Sequence, residues 1–141
     1  MHTEHIRKLL AQKGVRKTRI REAMLALFFD KGYALSHADV ETLLPDEFDR
    51  VTIYRTLKSF EEQGLIHKVP DDRGVMRFAL CPESCTHRQH TDSHLHFFCR
   101  RCGHTYCLHV HVSEPALPAG FKAENFEWLA QGTCQTCSSK Q

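Results

Sequence analysis

Residues 49–69, DRVTIYRTLKSFEEQGLIHKV, hold a helix with two unlike faces and then switch to strand. Asp49 is a capping residue. Ile53, Leu57 and Phe60 recur at spacings of four and seven, an apolar stripe one side of a helix can bury. Arg50, Thr52, Tyr54, Arg55 and Lys58 fall on the other face. Gly64 ends the helix. Leu65 to Val69 is β-prone, Pro70 to Gly74 is turn-forming, and Val75 to Leu80 is β-prone again, which predicts a hairpin.

Upstream the chain reads as helices. Thr3 can cap one that runs to Lys13 and stops at Gly14. Thr18 can cap a second, with Ile20, Met24, Leu27 and Phe28 on one face and Gly32 at its end. Ser36 stands three residues before Asp39, a capping-box-like start with an acid in place of the usual Glu or Gln. That third helix carries Val40, Leu43 and Leu44 and stops at Pro45. Three or four short helices and then a hairpin is the order of a winged helix-turn-helix, with the third and fourth helices as the pair and the hairpin as the wing. On such a fold the polar face of the fourth helix contacts phosphate oxygens or base edges. The same face would also suit an ordinary solvated amphipathic helix. Net charge is only +2, but residues 1–21 carry seven Lys or Arg against Glu4 alone, clustered around Arg16.

The remainder of the 141 residues changes character. All seven cysteines lie between Cys81 and Cys137, and seven of the eleven histidines between His87 and His111. An odd cysteine count behind a polar N-terminus with no apolar leader predicts a cytoplasmic, reducing setting and metal or redox chemistry. No apolar run is long enough for a membrane span. Cys99-Arg-Arg-Cys102 and Cys134-Gln-Thr-Cys137 are two C-x-x-C pairs 31 residues apart. Paired turns of this kind hold a tetrahedral Zn²⁺ by four thiolates, a closed structural site with no open position for chemistry. Two redox dithiols are the competing reading. Such an ion ties a last strand, expected over Phe121 to Ala130, to the Phe97–Cys99 region.

His94 and His96 stand at i and i+2, so on a strand they face the same side. His67 on the hairpin and Cys81 just after it reach the same point if the hairpin packs near that strand. This predicts a second, sensor-like centre of His67, Cys81, His94 and His96. One thiolate with two or three imidazoles suits Zn²⁺, whereas Fe²⁺ prefers imidazoles and carboxylates. Cys107, Cys85 and His90 are further possible ligands, and His87, His109 and His111 stay undecided. His2, His5, His37 and His104 read as surface or internally satisfied histidines. No H-E-x-x-H, G-x-S-x-G or phosphate-cradling glycine loop occurs, so an enzyme is not expected.

The helix and wing at 49–69, the string HLHFFCRRCG at 94–103 and GTCQTC at 132–137 together resemble the ferric uptake regulator family, in order and spacing, from about Gly14 to Cys137. The resemblance implies a homodimeric, metal-activated transcription factor without enzymatic activity, binding a palindromic operator in double-stranded DNA. It divides the chain into a winged-helix DNA-binding domain (1–80), a hinge (81–93) and an α/β dimerisation and metal-binding domain (94–141), an α+β fold. It implies that Arg16 reaches the minor groove and that Tyr54 and Arg55 serve the major groove. Two ligands usual in the iron and peroxide sensors are replaced by Ala34 and Ala79. His67 and Cys81 match positions of the zinc uptake regulator-like branch. Cys107 replaces an acidic ligand. Phe126 stands where a third site has histidine, although Glu114 matches another of that site's positions. The expected function is repression of metal-uptake genes when zinc is plentiful. The alternatives are an iron or peroxide sensor of the same family and a metal buffer that does not bind DNA.

Overall fold

A computed structural model describes residues 3–69, 74–80, 94–124, 126 and 128–139. Helix α1 (Thr3–Gln12) carries Ile6, Leu9 and Leu10 inward. Thr3 is its first helical turn, not a cap before it, and Gly14 leaves the helix with a φ of 68°. Helix α2 (Arg19–Lys31) starts where Thr18 Oγ1 accepts the Arg21 N–H at 3.3 Å, and ends at Gly32 in the left-handed region. Ser36 and Asp39 form the reciprocal box that starts α3 (His37–Leu43): Ser36 Oγ accepts from the Asp39 N–H at 3.1 Å, and Asp39 Oδ2 from the Ser36 N–H at 3.0 Å. Asp49 Oδ1 accepts the Thr52 N–H at 2.7 Å and opens α4 (Arg50–Glu62). The Thr52 side chain, and after it this amide, hold the Asp49 carboxyl below its ordinary value.

The hairpin forms as β2 (Ile66–Val69) against β3 (Arg77–Leu80), antiparallel. A two-residue strand, β1 (Leu35–Ser36), pairs with the other edge of β3, giving the order β1-β3-β2. The helices and this sheet enclose one apolar core, centred on Phe60, Met24, Leu25, Val40, Ile53 and Ile66. This is the winged helix-turn-helix expected of the first half. Truncating its central ring should be costly: Phe60→Ala is expected to lower stability by about 3–5 kcal/mol, read as a fall in the urea midpoint with unchanged slope.

The second sheet contains β4 (His94–Cys99), β5 (Thr105–His111) and β6 (Trp128–Gly132) in the order β5-β4-β6. β4 runs antiparallel to β5 and parallel to β6. The last strand overlaps the end of the span expected from sequence, Phe121 to Ala130, and runs on to Gly132. Pro115, Pro118 and Gly120 break the preceding segment, which turns back through a Phe121 N–H to Pro118 carbonyl bond of 3.2 Å. Among the described residues the pairing with β4 runs from Trp128 opposite Leu95 to Gly132 opposite Cys99. The short helix α5 (Gln135–Ser138) follows, with Cys134 as its N-cap. The two sheets touch at their ends. The Ala34 N–H donates to the Thr105 carbonyl at 2.6 Å, and the Tyr33 and His104 rings stack at 3.7 Å and 5°. No described helix is long and apolar enough to cross a membrane.

Candidate metal centres and helix face

β4 ends at Cys99, and the chain turns at once through Gly103, whose φ is 78°. The Gly103 N–H closes this turn on the Cys99 carbonyl at 2.8 Å, while the Arg100 N–H bonds the Gly132 carbonyl, also at 2.8 Å. The second bond holds the end of β6, and hence Cys134 and Cys137, beside the first pair. The four sulfurs lie within 4.8 Å of one another, with Cys102 exposed and the other three buried. Cys102 and Cys134 sulfurs are 3.9 Å apart.

Backbone N–H groups point at these sulfurs. Cys99 Sγ accepts from the N–H groups of Cys102 at 3.4 Å and Cys134 at 3.3 Å; Cys134 Sγ accepts from Cys137 at 3.5 Å. Donors aimed at sulfur favour the thiolate. The Cys102 N–H, above all, pulls the Cys99 thiol down to about 6. The Cys137 N–H lowers Cys134. Burial, followed by the Cys134 side chain, pushes Cys137 up to about 12. Burial also raises the Tyr106 hydroxyl, which bonds Cys134. Four convergent sulfurs braced by amides fit a soft dication that replaces the remaining thiol protons.

The second cluster joins the two sheets. His67 on β2, His96 on β4 and Cys107 on β5 bring one ligand atom each within 4.8 Å of the others. His67 Nε2 and His96 Nε2 are 3.2 Å apart, and both residues are buried. Cys107 is there because it lies directly across the β4–β5 ladder from His96. It packs against Ala34, Val69 and Ala79, so the two alanines occupy an apolar patch beside the cluster. Of the expected centre, His67 and His96 are brought together, and Cys107 joins them. The His94 backbone lies in β4, next to a break in register with β5, and its side chain is outside the described part, as are those of His109 and His111. Cys81, Cys85, His87 and His90 lie outside the described residues, as does the hinge at 81–93.

On α4, Arg50, Thr52, Tyr54, Arg55 and Lys58 are all exposed on the face opposite Ile53, Leu57 and Phe60, and Arg16 is exposed before α2. Arg50 is engaged by Glu41 of α3 at 2.9 Å. His104, read as a surface or internally satisfied histidine, is partly covered by Tyr33, which stacks on it; burial, then Arg77, lowers its basicity. His37, read as a surface or internally satisfied histidine, lies 3.4 Å from Glu41 one turn along α3, a pair whose i, i+4 spacing was the available signal.

The chain is 27% identical over 144 residues to a ferric uptake regulation protein of Staphylococcus aureus, covering 97% of this chain and 98% of that one. It is 29% identical over 138 residues to a zinc uptake regulation protein of Mycobacterium tuberculosis, covering 92% and 100%. A solved zinc uptake regulator complexed with zinc and DNA superposes with a TM-score of 0.65 at 27% identity, over 98% of this chain and 93% of that one. The model of the ferric uptake regulator family matches residues 12–130, from the end of α1 into β6, and the chain belongs to that family.

Proposed function

We propose that this protein is a zinc-responsive transcriptional repressor that binds a palindromic operator in double-stranded DNA as a homodimer and controls metal-uptake genes. The observation that carries the reading is the His67, His96 and Cys107 cluster. It draws its ligands from the wing and from the second sheet. An ion held there supplies attraction that favours one relative posture of the two parts. His67 anchors the wing strand; His96 and Cys107 anchor the second sheet. Cys81 and His94 remain proposed partners in the same centre. Arg16, Arg50, Thr52, Tyr54, Arg55 and Lys58 are the proposed DNA contacts, with the dimer presenting two helices to successive major-groove segments roughly 34–36 Å apart. Cys99, Cys102, Cys134 and Cys137 hold a structural zinc.

Zinc is favoured over iron because the cluster has a thiol and no carboxylate among its described members, and because Ala34 and Ala79 bring apolar surface to it. The zinc uptake regulators among the similar proteins support the same choice. A metal can shift a conformational equilibrium only through its differential affinity for the two states. Binding of a selected operator duplex is therefore expected to rise with free zinc in the parent and to lose that response in His96→Ala, while the four-cysteine ion is retained. An unchanged zinc response in the variant would remove His96 from the sensor. Iron as the metal that activates the parent would restore the iron-sensor reading.

A further inference from the structure

The polar face of α4 is not wholly open to solvent. Glu41, on α3, places one carboxylate oxygen between two partners: Arg50 Nε at 2.9 Å and His37 Nδ1 at 3.4 Å. The His37 ring in turn meets the Tyr54 ring edge-on, with centroids 5.9 Å apart and planes at 78°. Glu41 is three-quarters covered, whereas Arg50 is 81% exposed.

We propose that Glu41 is a positioning residue for sequence reading, fixing Arg50 directly and Tyr54 through His37. The inference rests on the DNA-binding reading of this face. The ion pair is made at Nε, so both Nη atoms of this 81% exposed side chain remain to pair as a fork with the O6 and N7 acceptors of guanine. Tyr54, more than half exposed, is held by the imidazole on one side. With Arg50 81% exposed, water screens the ion pair from that side and its contribution to stability is small. An acid this close to the DNA-facing surface also weakens general attraction for DNA. A carboxylate there opposes binding to any sequence and gains its place by improving the fit to one.

These two effects have opposite signs, which makes the test sharp. Duplexes are selected from a random pool with the full-length, zinc-loaded parent. Affinities for the best selected duplex and for a scrambled one are then measured across a salt series for the parent, Glu41→Ala, Glu41→Gln and Arg50→Ala. Glu41→Ala is expected to bind the scrambled duplex more tightly and to lose roughly ten-fold in the ratio of selected to scrambled affinity. Glu41→Gln keeps an oxygen acceptor for Arg50 and should retain most of the ratio, which also guards against misfolding of the alanine variant. Adding Glu41→Ala to Arg50→Ala should lower the ratio little further. If Glu41→Ala strengthens both affinities equally, Glu41 is only a solvated charge and the proposal fails. If the parent enriches no duplex, the DNA-binding reading itself fails, and the proposal with it.

Discussion

Cys99→Ser is expected to dissolve the tertiary structure of the C-terminal sheet while α1 to α4 keep their helical signal. Cys99 is fully buried at the end of β4, and its sulfur receives N–H groups from both cysteine pairs. Serine cannot supply a thiolate there. The buried cluster on this side of the sheet consists of Cys99, Cys134 and Cys137, with Phe97 and Tyr106 packed on it. The proposed zinc ligands therefore form most of that small core. Binding of a structural zinc is worth about 10–16 kcal/mol in zinc-finger peptides, against about 5–15 kcal/mol for the whole stability of an ordinary domain. Near-UV circular dichroism and native mass spectrometry check the result: the variant should lose aromatic ellipticity and one bound ion, and a strong chelator should do the same to the parent. A Cys99→Ser protein with parental near-UV signal and parental melting would show that this sheet stands without the ion.

Acid should act in the same direction. The folded protein holds the Cys99 thiol below its ordinary value of 9.0, at about 6, through the Cys102 amide. A group whose folded value is depressed contributes fully above its unfolded value, and the contribution fades as pH falls through the folded value. Because protons and the ion compete for the same sulfurs, ion affinity is expected to fall as pH is lowered, read by acid titration of the loaded protein.

The parts of this fold that depend on neighbouring residues were legible in the sequence. The Ser36–Asp39 box, the Thr18 and Asp49 caps and the hairpin of β2 and β3 each lie within a few positions, so side-chain type and spacing determine them. The two C-x-x-C pairs were legible for a different reason. Four thiols at such spacing have few stable uses beyond one shared ion. The contacts that depend on tertiary placement were not legible. β1 is two residues long and exists because the edge of β3 is available. The stacking of Tyr33 on half-buried His104 is a contact between residues 71 positions apart in the chain. β6 lies where β4 offers a parallel partner, Trp128 opposite Leu95, a pairing set by tertiary placement; the preceding apolar Phe121 is 69% exposed. Cys107 could have been placed beside His96 by folding β5 back on β4 around the Arg100–Gly103 turn, had the limits of β5 been known.

Cys107→Ser is expected to weaken zinc at the second centre by about 100-fold or more while leaving the four-cysteine ion in place. Loss of a group that merely orients a ligand costs roughly 10–100-fold in metal affinity, and loss of a ligand itself should match or exceed the upper end. Serine nearly preserves the size of the side chain, so packing against Ala34, Val69 and Ala79 should survive. The difference is chemical. A thiolate is the soft donor that favours zinc, and a serine hydroxyl stays protonated and binds it weakly. Among the described residues no Asp or Glu belongs to the cluster of His67, His96 and Cys107, so none of them takes over the position. Competition with a chromophoric chelator measures the effect, with mass spectrometry confirming one retained ion per chain. The wing should respond in step: without the thiolate, His67 and His96 hold the ion too weakly to favour the posture that carries α4 onto DNA, and operator binding should need correspondingly more free zinc. Parental zinc affinity in Cys107→Ser would make Cys107 a packing residue between the sheets, and Cys81 would then be the thiolate that completes the pair of imidazoles.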